Sequence, residues 1–163
     1  MKLFKVLAFL ILSFGLSSVF ASERQALDES VKSEIRAVLS ANESLHASFF
    51  EYDAEKIVKN ATKVSEKIDK ISDDSIRQLL RFSQQQLGDM SVEDDRDEND
   101  QRYHIFSMAM IHLINTYDIG EGFNAYSCPM VKKKWVQNST AMDRVHNPYD
   151  PSMPHCGDKD TKF

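Results

Sequence analysis

From Ser22 to Arg81 the chain runs without a proline or glycine, and its apolar residues return every three to four positions. Leu27, Val31, Ile35, Val38 and Leu39 set the period of an amphipathic helix buried along one face, which predicts a first helix over about 27–50. Tyr52-Asp53 forms a short junction, with Asp53 as the N-cap whose carboxylate can satisfy a free N–H. Ile57, Ala61, Val64, Ile68 and Ile71 stripe a second helix. Ser72 or Asp73 caps a third, carrying Ile76, Leu79, Leu80, Phe82 and Leu87, and Gly88 ends it. The acidic run from Glu93 to Asp100 suits the start of a fourth helix, where the macrodipole favours negative charge; this helix reaches about Tyr117. As a calcium loop the run fails, because the glycine and the terminal glutamate of an EF-hand are missing from their positions. Amphipathic helices joined by short connections predict an all-α fold, an antiparallel four-helix bundle. Gly120 and Gly122 break the pattern, and the remainder, which holds all four prolines, reads as an irregular C-terminal Cys-Pro-Met loop segment.

Ahead of the helices stands a different pattern. Lys2 and Lys5 precede an apolar run from Val6 to Leu12 that continues weakly to Phe20, and Val19 and Ala21 fit the small-residue rule of a secretory cleavage site. The expected organisation is a signal peptide over 1–21 and one domain over 22–163, with a metal-binding segment at about 123–158. No cysteine follows the cleavage site, so no lipid anchor is expected, and no other apolar stretch is long enough to insert in a membrane. The mature chain is expected in the periplasm, where thiols meet oxidising conditions. Losing Lys2 and Lys5 takes the formal net charge from −5 to about −7, which argues against nucleic acid as a partner.

The candidate chemistry is sulfur. Both cysteines lie in two proline-stiffened strips, Cys128-Pro129-Met130 and Met153-Pro154-His155-Cys156. In an extended strip Cys128 and Met130 face the same side, and Met153 and Cys156 are one turn apart. A thiolate pair with thioether support, Cys128, Cys156, Met130 and Met153 with His155 beside them, selects Cu(I) or Ag(I). Zinc is the other candidate, held by Cys128, Cys156, His155 and either His146 or His112. The competing reading is a Cys128–Cys156 disulfide, which closes a loop worth about 3–4 kcal/mol in the chain-entropy model. That bond would remove the thiolates copper needs. His104, Met108 and His112 stripe one edge of the fourth helix, as surface residues or auxiliary ligands. Trp135 and Tyr149 are expected to dock the C-terminal segment on the bundle, Asn147-Pro148 to turn it, and Arg102 to make a structural ion pair or hydrogen bond.

Arg102-Tyr103-His104-Ile105-Phe106-Ser107, Cys128-Pro129-Met130, Trp135, Asn147-Pro148-Tyr149, Met153 and Cys156-Gly157 stand in an order that resembles the family catalogued as domain of unknown function 3347. Its members occur alone in the bacterial envelope or fused to periplasmic adaptors of copper/silver efflux pumps. The resemblance covers most of the mature chain, and its specific part runs from Arg102 to Gly157. It implies an α-helical domain associated with copper, a link to an efflux component, and no enzymatic activity. This chain departs from the usual pattern at Lys132-Lys133-Lys134 and around Met153, where Asp150-Pro151-Ser152 precedes and Pro154-His155 follows. No nucleophile elbow, phosphate-cradling loop, zinc-protease motif or Cys-x-x-Cys stands in the chain, so catalysis is not expected. The sequence therefore points to a periplasmic copper-binding sink or donor, with a metal-free, disulfide-stapled interaction module as the alternative.

Overall fold

The computed structural model describes residues 24–163; the export segment expected over 1–21 lies outside them. Helices α1 (Glu29–Glu51), α2 (Ala54–Ile68), α3 (Asp74–Gly88) and α4 (Arg96–Thr116) follow one another, each packed on the next. Carboxylates start three of them. Asp53, Asp73 and Asp95 accept from the N–H of Lys56, Ile76 and Glu98 at 3.0, 3.0 and 2.9 Å. Helix α1 closes with Tyr52 in the left-handed region (φ 48°), where Tyr52 N–H donates to Phe49 C=O and Asp53 N–H to Ser48 C=O. This paired cap usually takes glycine. Here the tyrosine ring has its own anchors, Arg96 at 4.9 Å above it and Asn99 donating to its hydroxyl.

The core joins Ile35, Leu45 and Phe49 of α1 to Ile57, Val64 and Ile68 of α2, Ile76 and Leu80 of α3, and Tyr103, Phe106, Met110 and Leu113 of α4. Leu79 and Phe82, read from sequence as part of the α3 stripe, are instead 36 % and 61 % exposed. The buried face of α3 is Ile76, Leu80, Ser83 and Leu87, and Phe82 sits about 200° around the helix from Leu80.

The all-α expectation is overturned by the C-terminal segment. It folds into a three-stranded antiparallel sheet in the order β2-β1-β3, made of β1 (Phe123–Cys128), β2 (Lys133–Asn138) and β3 (Asp158–Lys159). Cys128 stands opposite Lys133 and Phe123 opposite Asn138, a hairpin closed through Lys132 at φ 55°. The strands escape the periodicity reading because both of their faces are covered. All of β1 but Ser127 is buried, so it shows no alternation, and polar Asn124 and Gln137 occupy buried positions. Those amides are satisfied locally. Asn124 donates to Ser139 Oγ and accepts from Phe163 N–H, while Gln137 donates to Met142 and Arg144 C=O and accepts from His146 N–H. The sheet lies mainly on α4, with β2 also touching α1. No described helix is long and apolar enough to cross a membrane.

Candidate functional site

The two sulfur strips meet beside the sheet. Strand β1 ends at buried Cys128, and the chain returns to it through residues 145–157, a segment folded by several hydrogen bonds of its own. Asn147, fully buried, accepts from Tyr149 N–H at 3.0 Å, donates Nδ2–H to Met153 C=O at 3.2 Å and its backbone N–H to Pro154 C=O at 2.9 Å. Asp150 accepts from Ser152 N–H at 2.8 Å, and Cys156 N–H donates to Met153 C=O at 3.0 Å. Gly157 then passes against the sheet at φ 141°; a Cβ there would lie 2.9 Å from Ser127 C=O and 2.8 Å from the Trp135 ring.

Aromatic stacking and one arginine dock this segment. Buried Trp135 sits between Tyr126, stacked with centroids 5.9 Å apart, and Tyr149, edge-on at 6.1 Å. Tyr149 donates its hydroxyl to Lys134 C=O at 2.9 Å. Arg96, at the start of α4, donates to Phe49 C=O at 3.1 Å and to Pro148 C=O at 3.0 Å, tying α1, α4 and the turn together. Its Nε lies 3.4 Å from Asp100 Oδ2. Asp100 is buried, and desolvation raises its pKa to about 6 although the charges of Arg96 and Lys133 oppose the shift. Arg102 pairs with Asp94, which realises the ion pair of the two structural roles read from sequence.

The result brings Cys128 and Cys156 together with Cα atoms 5.7 Å apart and joins them as a disulfide. The other expected ligands do not all gather there. Met153 is half-buried next to Cys156 in the same turn, whereas Met130 is 69 % exposed on the hairpin. His155 is exposed, its Nδ1 bonded to Val145 C=O at 2.8 Å. His146 turns toward α1, and His112 is exposed on α4. Among the described residues no three His, Cys, Asp or Glu side chains form a metal cluster. The donor chemistry fits a soft ion in one state only: bonded to each other the sulfurs are not thiolates, and as a dithiol they are two soft ligands on converging backbones.

A second constellation was not read from the sequence. His46 of α1 is buried; Nε2 lies 3.0 Å from His146 Nδ1, and Nδ1 lies 3.3 Å from the Tyr103 hydroxyl. Burial, and next the charge of His146, pushes the His46 pKa down to about 3, so the ring is neutral. Phe50 stacks on His146 with centroids 3.6 Å apart. The signal was available: Asn42 and His46, one turn apart, are polar residues on the face that buries Leu39 and Phe49. His104, from the α4 stripe, sets Nδ1 3.3 Å from Lys134 N–H and docks β2, while Met108 is 43 % exposed. No family model, curated protein or solved structure matches the chain.

Proposed function

We propose that this is an exported soft-metal-binding protein, with Cu(I) as its ion, that serves as a sink or donor in copper and silver homeostasis. Cys128 and Cys156 are its ligands as free thiolates, with the Met153 thioether beside them. The observation that carries this reading is the convergence of the chain's two cysteines, 28 residues apart in sequence, on one point beside the sheet. Opening the bond with a dithiol reductant adds two electrons and two protons, and metal binding then releases the thiol protons. Two thiolates prefer Cu(I) or Ag(I) to harder ions, and zinc would need further nitrogen ligands. Re-forming the bond withdraws both ligands, so the redox state sets the capacity for metal. The order of motifs, in its resemblance to the copper-associated envelope family, supports the same ion and an efflux component as partner.

The test is Cu(I) titration of the anaerobically reduced protein against a chromophoric Cu(I) chelator. Binding of about one Cu(I) per chain, lost in Cys128→Ser and in Cys156→Ser, is the expected result. A dithiol form that cannot compete with the chelator overturns the reading.

The disulfide itself favours a second reading, a stapled interaction module that binds an envelope partner without metal. Free-thiol titration and elemental analysis of protein taken from copper-challenged cells separate the two. Copper with free thiols supports the metal reading, and a fully oxidised, copper-free protein supports the staple.

A further inference from the structure

A small recess opens between α1 and β2, roofed by the turn that follows the strand. It encloses about 130 Å³, with Val136, Ala141 and Met142 as its apolar wall and Glu43, His46, Gln137 and Asn138 as its polar one. Most of those polar groups are already engaged. Gln137 donates both amide protons, to Met142 C=O at 3.0 Å and to Arg144 C=O at 2.7 Å, and accepts from His146 N–H at 3.1 Å. Asn138 Oδ1 gathers Thr140 N–H, the Thr140 hydroxyl and Ala141 N–H at 3.1, 2.7 and 3.2 Å. The two ring nitrogens of neutral His46 are taken up by His146 and Tyr103. Glu43 is the exception. Among the described residues no salt bridge reaches its carboxylate. Burial raises its pKa, and what opposes the rise is a hydrogen bond from the Asn138 side chain rather than a positive charge.

An apolar recess with one carboxylate short of a countercharge suits one ligand chemistry. The ligand must donate charged hydrogen bonds to Glu43 and carry a hydrocarbon body that displaces water from the apolar wall. An apolar cavity of about 150 Å³ holds benzene, so this recess has room for roughly five or six non-hydrogen atoms. A metal ion finds too few ligands, because the His46 nitrogens are engaged and only a carboxylate and the Met142 thioether remain. An anion is repelled by Glu43, whereas the formal net charge of −5 draws cations to the whole chain.

We propose that this recess binds a small primary alkylammonium ion of about four or five carbons, with the ammonium on the Glu43 carboxylate and the chain against Val136, Ala141 and Met142. This goes beyond the metal reading and does not rest on it. Gln137 ties the recess to the backbone of Met142, Arg144 and His146, so an occupied recess also steadies the chain where it leaves β2 for the segment that carries Cys156.

The experiment titrates n-butylammonium chloride into the disulfide-intact protein at constant ionic strength, followed by amide proton–nitrogen nuclear magnetic resonance. The expected result is saturable binding with shifts centred on Glu43 and on Val136 to Met142. Glu43→Gln keeps the shape of the side chain and removes its charge, and should weaken binding on the order of tenfold. Glu93→Gln, at an exposed acid, should leave binding unchanged. Ammonium chloride lacks the hydrocarbon body and n-butanol lacks the charge, so each should bind on the order of tenfold more weakly than the amine. Wild-type affinity in Glu43→Gln overturns the site, and so does ammonium that binds as tightly as butylammonium. Shifts centred on the acidic start of α4 would mean diffuse attraction to charge and also overturn it, as would a titration without saturable shifts. The probe does not engage Cys128 or Cys156, so such a failure leaves the Cu(I) reading to its own test.

Discussion

Asp100 shows how one turn of a helix changes what a carboxylate does. It belongs to an acidic run whose Asp95, Asp97 and Glu98 are exposed, yet its side chain is only 5 % exposed and its Oδ1 has no hydrogen-bond partner among the described residues. The difference was legible in spacing, because Asp100 is in register with Tyr103 and Ser107 on the buried face of α4, whereas a reading by composition treats all the acids alike. Its folded pKa, raised to about 6 from 3.8, sets the sign of its effect. Below the unfolded value both states hold the proton and nothing is lost. Between about 4 and 6 the unfolded chain gives up its proton while the folded one keeps it, so stability falls as pH rises. Above 6 the folded carboxylate is charged and desolvated, at a cost of about 3 kcal/mol at most. Asp100→Asn, which resembles the protonated acid, should therefore gain on wild type by about 2–3 kcal/mol between pH 4 and pH 7. Urea unfolding of both proteins across that range reads the difference directly. A constant gap would mean that Arg96 and Lys133 compensate the buried charge fully.

At the scale of elements, the helices were legible and the strands were not, for one physical reason. A helix with one wet face writes its period into the sequence, and Asp53, Asp73 and Asp95 mark where the periods begin. Strands β1 and β2 lie between α4 and the C-terminal segment, so burial there follows tertiary cover rather than alternation. Gly122 and Pro129 bracket β1 and would have marked it as a short buried strand, but the glycines and the four prolines of this segment led to its reading as an irregular loop. The helix starts have a measurable weight. Asp95→Ala removes the 2.9 Å bond to Glu98 N–H and should destabilise the protein by about 1 kcal/mol. Asp97→Ala, in the first turn but outside the cap, should lose only a few tenths of that unit through the macrodipole. Thermal unfolding of the pair separates the cap's hydrogen bond from its charge, and equal losses would assign the whole effect to charge.

Over the whole molecule, the disulfide decides how a short segment stays on the bundle. The sequence placed the cysteines in two proline-stiffened strips but left open whether they bind each other or a metal, because spacing says nothing about the path that returns Cys156 to Cys128. That path depends on contacts with no local signature: Arg96 reaching Pro148, Tyr149 reaching Lys134, and Gly157 passing under Trp135. These contacts hold the two cysteines close together beside the sheet. The crosslink acts on the unfolded chain by closing a loop of 28 residues' separation, a restriction worth about 3–4 kcal/mol. Reducing the wild type with a phosphine should thus lower its unfolding free energy by about that amount while the native circular-dichroism spectrum is retained. Cys128→Ser/Cys156→Ser should match the reduced protein and be insensitive to the phosphine. Urea unfolding with and without reductant makes the measurement, and its outcome bears on function as well as stability. A reduced protein that keeps its near-ultraviolet aromatic signal holds Trp135 and Tyr149 in place around the open thiols, as a Cu(I) donor must. One that loses the signal needs the disulfide to hold the segment, and its cysteines are then a staple before they are ligands.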